Sequence, residues 1–195
     1  MESINPIRKY FKQRIVLIFI FCFCFHFIVI GQEINWISLD NALIAQKNEP
    51  KKILMDVYTD WCGPCKLMDK KTFTNPDLVA YVNQYYYAVK FNAEGNETIS
   101  FFGNIFQNPN YDESRKGRRN STHQFAQFLG VKGYPTTVFL SEKGDLITPV
   151  VGYLNVQQME LYLKMIKQGD YQVFSTAQDF ENYKKYFRSK FRIKS

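Results

Sequence analysis

Cysteine and histidine are both scarce in this 195-residue chain, and this scarcity restricts the metal sites that it can form. The complete set is Cys22, Cys24, His26, Cys62, Cys65 and His123. A structural zinc site needs about four ligands, and the first three of these residues lie together in an apolar stretch far upstream of the others. The supply of ligands therefore argues against a zinc site, and we expect no bound metal.

The excess of positive over negative charge is also small once the N-terminal segment is set aside. The whole chain has a net charge of +7, but residues 1–31 contain four basic residues and one acidic residue. The remaining chain has 21 basic and 17 acidic residues, a net charge of +4. Nucleic-acid binding needs a stronger basic character, so we expect no nucleic-acid partner.

Long apolar runs are rare, and the longest one, Ile15 to Ile30, is interrupted only by His26. Basic residues precede it, and the small residue Gly31 follows it. This order is typical of a secretory signal peptide, so we predict that residues 1–31 direct export to the periplasm or cell envelope of a bacterium. The run is slightly short for a membrane span, but an uncleaved N-terminal anchor is the alternative and would then be the protein's contact with the membrane.

The remaining two cysteines form a Cys-x-x-Cys motif within Trp61-Cys62-Gly63-Pro64-Cys65. Apolar residues 53–58 predict a buried strand before it, and helix-forming residues follow at 66–71. Cys62 would then lie at a helix N-terminus, where free N–H groups and the helix dipole stabilise a nucleophilic thiolate. Cys65, one turn further on, would be shielded and placed to resolve a mixed disulfide. A passive structural disulfide is the alternative, but a two-residue spacer closes too small a loop to add much stability.

Helical and strand patterns alternate along the chain until a final hairpin, which is typical of an α/β domain. The predicted helices cover 38–47, 66–71, 122–129, 156–166 and 178–187, with a further helix starting at 76; the predicted strands cover 52–58, 86–92 and 146–151, and a turn at 133 leads into a strand that ends at 140. We divide the chain into the leader, a domain at 32–169 and a C-terminal tail at 170–195. His123 is expected at the surface.

Residues 93–121 match no regular element and predict an insertion loop. This insertion contains the basic cluster Arg115, Lys116, Arg118 and Arg119. A charge cluster in a loop is commonly just solvated. The other interpretation is a surface that steers an acidic partner towards the protein.

The chain resembles the thioredoxin superfamily over residues 36–168. The resemblance depends on the Trp-Cys-Gly-Pro-Cys motif, the turn Tyr134-Pro135-Thr136 and the ending Val151-Gly152-Tyr153-Leu154. Residues 65–76 are similar to the subgroup that includes the C-terminal periplasmic domain of the membrane thiol reductase DsbD. The resemblance implies a central mixed β-sheet flanked by helices, with an insertion before a cis-proline segment and a C-terminal helical extension.

The resemblance also implies roles for residues around the motif. Pro135 matches the proline that is cis in thioredoxins, and it would leave the backbone of Tyr134 free to pair with a substrate strand; an ordinary trans proline is the alternative. Trp61, together with the spacer residues Gly63 and Pro64, would shape the docking surface, although Trp61 also fits plain core packing.

Three charged residues match groups that handle protons in this superfamily. Asp56 matches a buried carboxylate that accepts a proton from the second cysteine. An acid in the middle of an apolar strand independently suggests a task or a partner, and a satisfied structural aspartate is the alternative. Lys90 matches a lysine near that acid. Asp69 matches a second acid in the DsbD-like domain, but it also fits a surface position.

These features predict an exported thiol–disulfide oxidoreductase that reduces protein disulfides through Cys62 and Cys65. It would need no organic cofactor and would receive electrons from a thiol donor in the membrane. The Gly-Pro spacer is that of thioredoxin, whose potential of about −270 mV is reducing. The alternatives are an envelope disulfide oxidase or isomerase, and a non-catalytic docking module with the same fold.

Overall fold

A mixed five-stranded sheet lies at the centre of the computed structural model, which describes residues 33–193. The strands of the described chain are β1 (Trp36–Ile37), β2 (Lys52–Tyr58), β3 (Tyr86–Asn92), β4 (Ile99–Phe101), β5 (Asn104–Phe106), β6 (Thr136–Leu140) and β7 (Leu146–Val151). The central sheet has the order β1-β3-β2-β6-β7. β3 pairs in parallel with β1 and β2, whereas β6 is antiparallel to β2 and β7. The predicted mixed sheet is therefore confirmed.

Helices cover both faces of this sheet, and most of them begin at a side-chain cap. They are α1 (Leu39–Asn48), α2 (Gly63–Lys71), α3 (Pro76–Tyr85), α4 (Gln124–Phe128), α5 (Val156–Gln168) and α6 (Ala177–Tyr186). Ser38 and Asn75 accept hydrogen bonds from backbone N–H groups in the first turns of α1 and α3. Gly169 ends α5 in the left-handed conformation, with φ at 82°, which glycine adopts without strain.

Alternate residues of β2 point to opposite faces of the sheet, as the two-residue repeat of a strand requires. Ile53, Met55 and Val57 pack with α1 and α4. Leu54 packs on the other face with residues of α2, α3 and α5. Asp56 is two residues further along and shares the face of Leu54. The strand therefore places a carboxylate on the side of the sheet that α2 covers.

The insertion at 93–121 contains more regular structure than the sequence predicted. Strands β4 and β5 form a small antiparallel sheet, and a 3₁₀ turn covers Glu113–Arg115. The expected surface position of His123 is wrong, because this side chain is fully buried. Its Nδ1 accepts a hydrogen bond from Phe125 N–H, and its Nε2 lies 2.7 Å from the carbonyl oxygen of Glu97. His123 therefore joins the start of α4 to the insertion.

The C-terminal tail packs back on the domain through a buried carboxylate. Glu160 on α5 is completely buried and accepts hydrogen bonds from the backbone N–H groups of Lys190 and Phe191 at 2.8 and 2.9 Å. Lys164 Nζ lies 2.5 Å from the same carboxylate. The tail helix predicted at 178–187 is present as α6. Within residues 33–193, no helix is both long and apolar enough to cross a membrane, and the predicted leader at 1–31 lies outside this range.

Candidate functional site

Cys62 and Cys65 meet at the first turn of α2, where they form a disulfide bond. Cys62 is the N-cap residue of this helix, and its Sγ accepts a hydrogen bond from the backbone N–H of Cys65 at 3.1 Å. Pro64 lies within the first turn, where a backbone N–H is not needed. The sulfur of Cys62 is therefore held against the positive end of the helix, as the sequence predicted.

The two cysteines are also enclosed. Cys62 is 2% exposed and Cys65 is 4% exposed, whereas the spacer residues Gly63 and Pro64 are exposed. The sequence pattern predicted shielding for Cys65 alone. The Gly63–Pro64 turn is therefore the part of the motif that is most open to solvent.

The peptide bond between Tyr134 and Pro135 is cis, as the resemblance implied. Thr136, the next residue, pairs with Val57 near the end of β2, and the chain runs from that end into the motif. This register places Pro135 at the edge of the sheet that carries the disulfide. Among the described residues, the backbone N–H and C=O of Tyr134 have no backbone partner. They are available for pairing with an extended segment.

Asp56 and Lys90 form an ion pair behind the disulfide. The two residues are opposite each other in β2 and β3, and Lys90 Nζ lies 3.1 Å from Asp56 Oδ2. The other carboxylate oxygen of Asp56 is buried with no hydrogen-bond partner in the described chain. Burial raises the pKa of Asp56 to about 6, although the attraction of Lys90 lowers it. Asp56 can therefore exchange a proton near neutral pH.

Asp69 on α2 binds the same lysine from the other side. Its Oδ1 lies 2.5 Å from Lys90 Nζ, and its side chain is 44% exposed. Burial lowers the pKa of Lys90, but Asp56 and Asp69 together outweigh that effect and raise it. The ammonium group therefore remains charged and links the buried acid to the active-site helix. The three charged residues that the sequence grouped together do form one cluster.

Trp61, which precedes Cys62, is attached to the insertion. Its Nε1–H donates a hydrogen bond to Glu94 Oε2 at 2.7 Å, and the same oxygen accepts one from the backbone N–H of Asn120 at 2.8 Å. The Arg119 guanidinium lies 4.6 Å from the centre of the Trp61 ring, and Tyr134 meets that ring edge-on at 6.0 Å. Sequence reasoning missed Glu94 and the contact of Arg119, because nothing local marks either of them.

Metal-binding geometry is not found near this site. Within residues 33–193, no group of three or more histidine, cysteine, aspartate or glutamate side chains is arranged to hold a metal ion.

Comparison with known proteins places this geometry in a family. The family model described as "Thioredoxin-like domain" matches residues 39–167. Thiol:disulfide interchange protein DsbD 2 of Pseudomonas aeruginosa is 45% identical over 42 residues, which are 22% of this chain and 7% of that protein. DsbD of Photorhabdus laumondii is 24% identical over 141 residues, 71% of this chain and 20% of that protein. This chain thus spans a fifth or less of the length of these two relatives.

A solved structure agrees with the family match. A thioredoxin-fold protein from Helicobacter pylori superposes with a TM-score of 0.54 and 22% identity, over 70% of this chain and 82% of the other. This similarity confirms the predicted thioredoxin fold. The chain therefore belongs to the Thioredoxin-like domain family of the thioredoxin superfamily, and its Cys62–Cys65 pair lies at disulfide distance.

Proposed function

We propose that this protein is an exported thiol–disulfide oxidoreductase that reduces disulfide bonds in other proteins. The observation that carries the proposal is the position of Cys62 at the N-cap of α2, bonded to Cys65 one turn away. In the reduced protein, the helix N-terminus stabilises a thiolate at Cys62. The backbone of Tyr134 supports the same activity, because its N–H and C=O have no backbone partner among the described residues.

The reaction transfers two electrons from the dithiol to the substrate. The Cys62 thiolate attacks one sulfur of the substrate disulfide, and the other substrate sulfur leaves as a thiolate that takes up a proton. Cys65 then loses its proton and attacks Cys62 Sγ in the mixed disulfide. This step forms the Cys62–Cys65 bond and releases the second substrate thiol, so that the substrate is reduced and the protein is oxidised.

Asp56 is the residue that we assign to the proton of Cys65. It lies on the face of the sheet that α2 covers, and its pKa of about 6 lets it accept a proton at neutral pH. The Lys90 ammonium group forms one ion pair with the Asp56 carboxylate and a second one with Asp69. Lys90 and Asp69 are therefore positioning residues, while Trp61, Gly63, Pro64, Tyr134 and Pro135 form the surface that meets the substrate.

The proposed electron carrier is the cysteine pair itself, without an organic cofactor or metal. A dithiol outside the cytoplasm needs a dedicated reductant, and we propose a membrane thiol protein for this role. The leader pattern at 1–31 supports export to a bacterial periplasm or envelope. The similarity to DsbD, a thiol:disulfide interchange protein, supports the same assignment.

Reduction of a model peptide disulfide by the pre-reduced protein tests the proposal. Cys62→Ser is expected to abolish the reaction, and Cys65→Ser is expected to accumulate a mixed disulfide that mass spectrometry detects. The matched control is Lys143→Gln, which changes an exposed residue that the proposal does not use. Full reduction by Cys62→Ser would contradict the proposal and favour a docking role for the fold.

A further inference from the structure

The basic part of the insertion lies directly beside the redox motif. Arg119 stacks on the ring of Trp61 at 4.6 Å, and Asn120 shares the Glu94 carboxylate with the indole of Trp61. A shallow concavity here is lined by Asp60 and Trp61 on one side and by residues 115–118 on the other. A substrate segment that docks on the Cys62 sulfur therefore passes close to the basic residues of this loop.

The loop keeps its shape through hydrogen bonds of the Asn108 and Asn120 side chains and through the bond of the Asn120 N–H to the Glu94 carboxylate. The Asn120 side chain accepts a hydrogen bond from Asp112 N–H and donates one to the Asp112 carbonyl oxygen, which closes the base of the loop. Asn108 donates to the carbonyl oxygens of Gly95 and Ser121 at 2.8 Å each. No arginine side chain of the loop takes part in these hydrogen bonds, although the Arg119 guanidinium stacks on Trp61.

Among the described residues, three of the four basic side chains form no ion pair with an acid. Lys116 lies 3.6 Å from Glu113. By contrast, Arg115, Arg118 and Arg119 are exposed, and no carboxylate of residues 33–193 lies within ion-pair distance of them. Asp60 and Glu94 line the same concavity as Arg115, Lys116 and Arg118. Three basic side chains thus lie beside two carboxylates, and the concavity next to the disulfide has a net charge of +1.

We propose that Arg115, Arg118 and Arg119 form a docking surface for an acidic segment next to the cystine of the partner protein. This inference rests on the proposed function and names the chemistry of its substrate. The guanidinium group binds carboxylates through paired hydrogen bonds, and a positive surface beside the reactive sulfur speeds the encounter with an acidic partner. A single-stranded nucleic acid would instead need an open aromatic face for stacking, and Arg119 covers a face of Trp61.

Matched peptides test this surface. Each contains one cysteine blocked as a neutral 2-thiopyridyl disulfide and is flanked by either four glutamates or four glutamines. The Cys62 thiolate attacks the peptide sulfur and releases thiopyridone, which is followed by absorbance; Cys65 then releases the peptide thiol. We expect the acidic peptide to react about tenfold faster than the neutral one at low ionic strength. The ratio of the two rates should fall towards one at about 0.5 M salt, because salt screens the charges.

Variants of the loop show which residues cause the preference for the acidic peptide. Replacement of the three arginines by glutamine, or of Arg118 alone, is expected to lower the ratio of the two rates. Lys143→Gln is the matched control, because it removes an exposed charge in the turn after β6, at the opposite end of the sheet. Circular dichroism checks that each variant is folded. If the triple variant does not fold, the ratio of the two rates is measured with the Arg118 variant alone.

The outcomes separate this inference from the proposed function. If the wild-type protein does not reduce the neutral peptide, the proposed function fails. If it reduces both peptides at equal rates, or if the arginine variants keep the preference, the function stands and the docking surface is refuted. Stronger inhibition by a single-stranded oligonucleotide than by a polyglutamate of equal charge would also overturn it, in favour of a nucleic-acid surface.

Discussion

Replacement of Asp56 by asparagine should stabilise the oxidised protein at neutral pH while slowing its chemistry. Burial raises the pKa of Asp56 from 3.8 to about 6, despite the attraction of Lys90. The folded state therefore binds a proton that the unfolded state releases, and stability falls as the pH rises from about 4 to 6. At about 1.4 kcal/mol for each pKa unit, the charged carboxylate lowers the free energy of unfolding by up to about 3 kcal/mol above pH 6.

Denaturant unfolding of the oxidised protein between pH 4 and pH 8 measures this effect. The Asp56→Asn variant should have the same free energy of unfolding as the wild type near pH 4. Its advantage in stability should then grow up to about pH 6 and stay constant at higher pH. Asp69→Asn is the control, because this carboxylate is 44% exposed and should change stability by less than about 1 kcal/mol. A difference for Asp56→Asn that does not depend on pH, or a less stable variant at pH 8, would refute the reasoning.

The same substitution should slow resolution of the mixed disulfide. Asparagine cannot accept the proton of Cys65, so the rate of the second step should fall about tenfold or more at pH 7. In the wild type, this rate should rise with pH as Asp56 ionises near pH 6. Rapid-mixing measurements with a mixed disulfide on Cys62 follow this step directly. An unchanged rate and pH profile in Asp56→Asn would remove Asp56 from the mechanism.

Further predictions concern the insertion and the tail. Glu94→Ala should speed tryptic cleavage in the basic loop and shift Trp61 fluorescence, whereas Glu113→Ala should do neither. His123 has a lowered pKa because it is buried, so wild-type stability should fall relative to His123→Asn as the pH drops from 7 to 5; equal slopes would contradict this. Glu160→Gln should destabilise the protein by roughly 1–3 kcal/mol at pH 7 in thermal or denaturant unfolding, because it weakens buried hydrogen bonds to the tail; unchanged stability would refute the role of this carboxylate.

Local sequence patterns were sufficient for the motif and for much of the fold. The helix starts near Ser38 and at Pro76 and the apolar strand around Asp56 depend on signals within a few residues, and the structure agrees with each of them. The cis bond before Pro135 needed the family resemblance, because an X-Pro bond is held cis by tertiary contacts that a single sequence does not display.

Contacts between distant parts of the chain were not predictable in this way. Glu94 lies 33 residues from Trp61 and 26 from Asn120, and no periodic pattern connects the three. Strands β4 and β5 have three residues each, too few for an alternating signal. The burial of His123 also depends on a distant contact, because its Nε2 meets the carbonyl oxygen of Glu97, 26 residues away across the insertion.

The reduction potential of the Cys62–Cys65 couple tests the central claim most directly. It is measured by equilibrating the protein in glutathione or dithiothreitol buffers and quantifying the fraction of reduced cysteine by thiol labelling. A reductase with the Gly-Pro spacer should have a potential near that of thioredoxin, about −270 mV. A potential above about −150 mV, close to the −120 mV of DsbA, would contradict the claim and identify the protein as an oxidant.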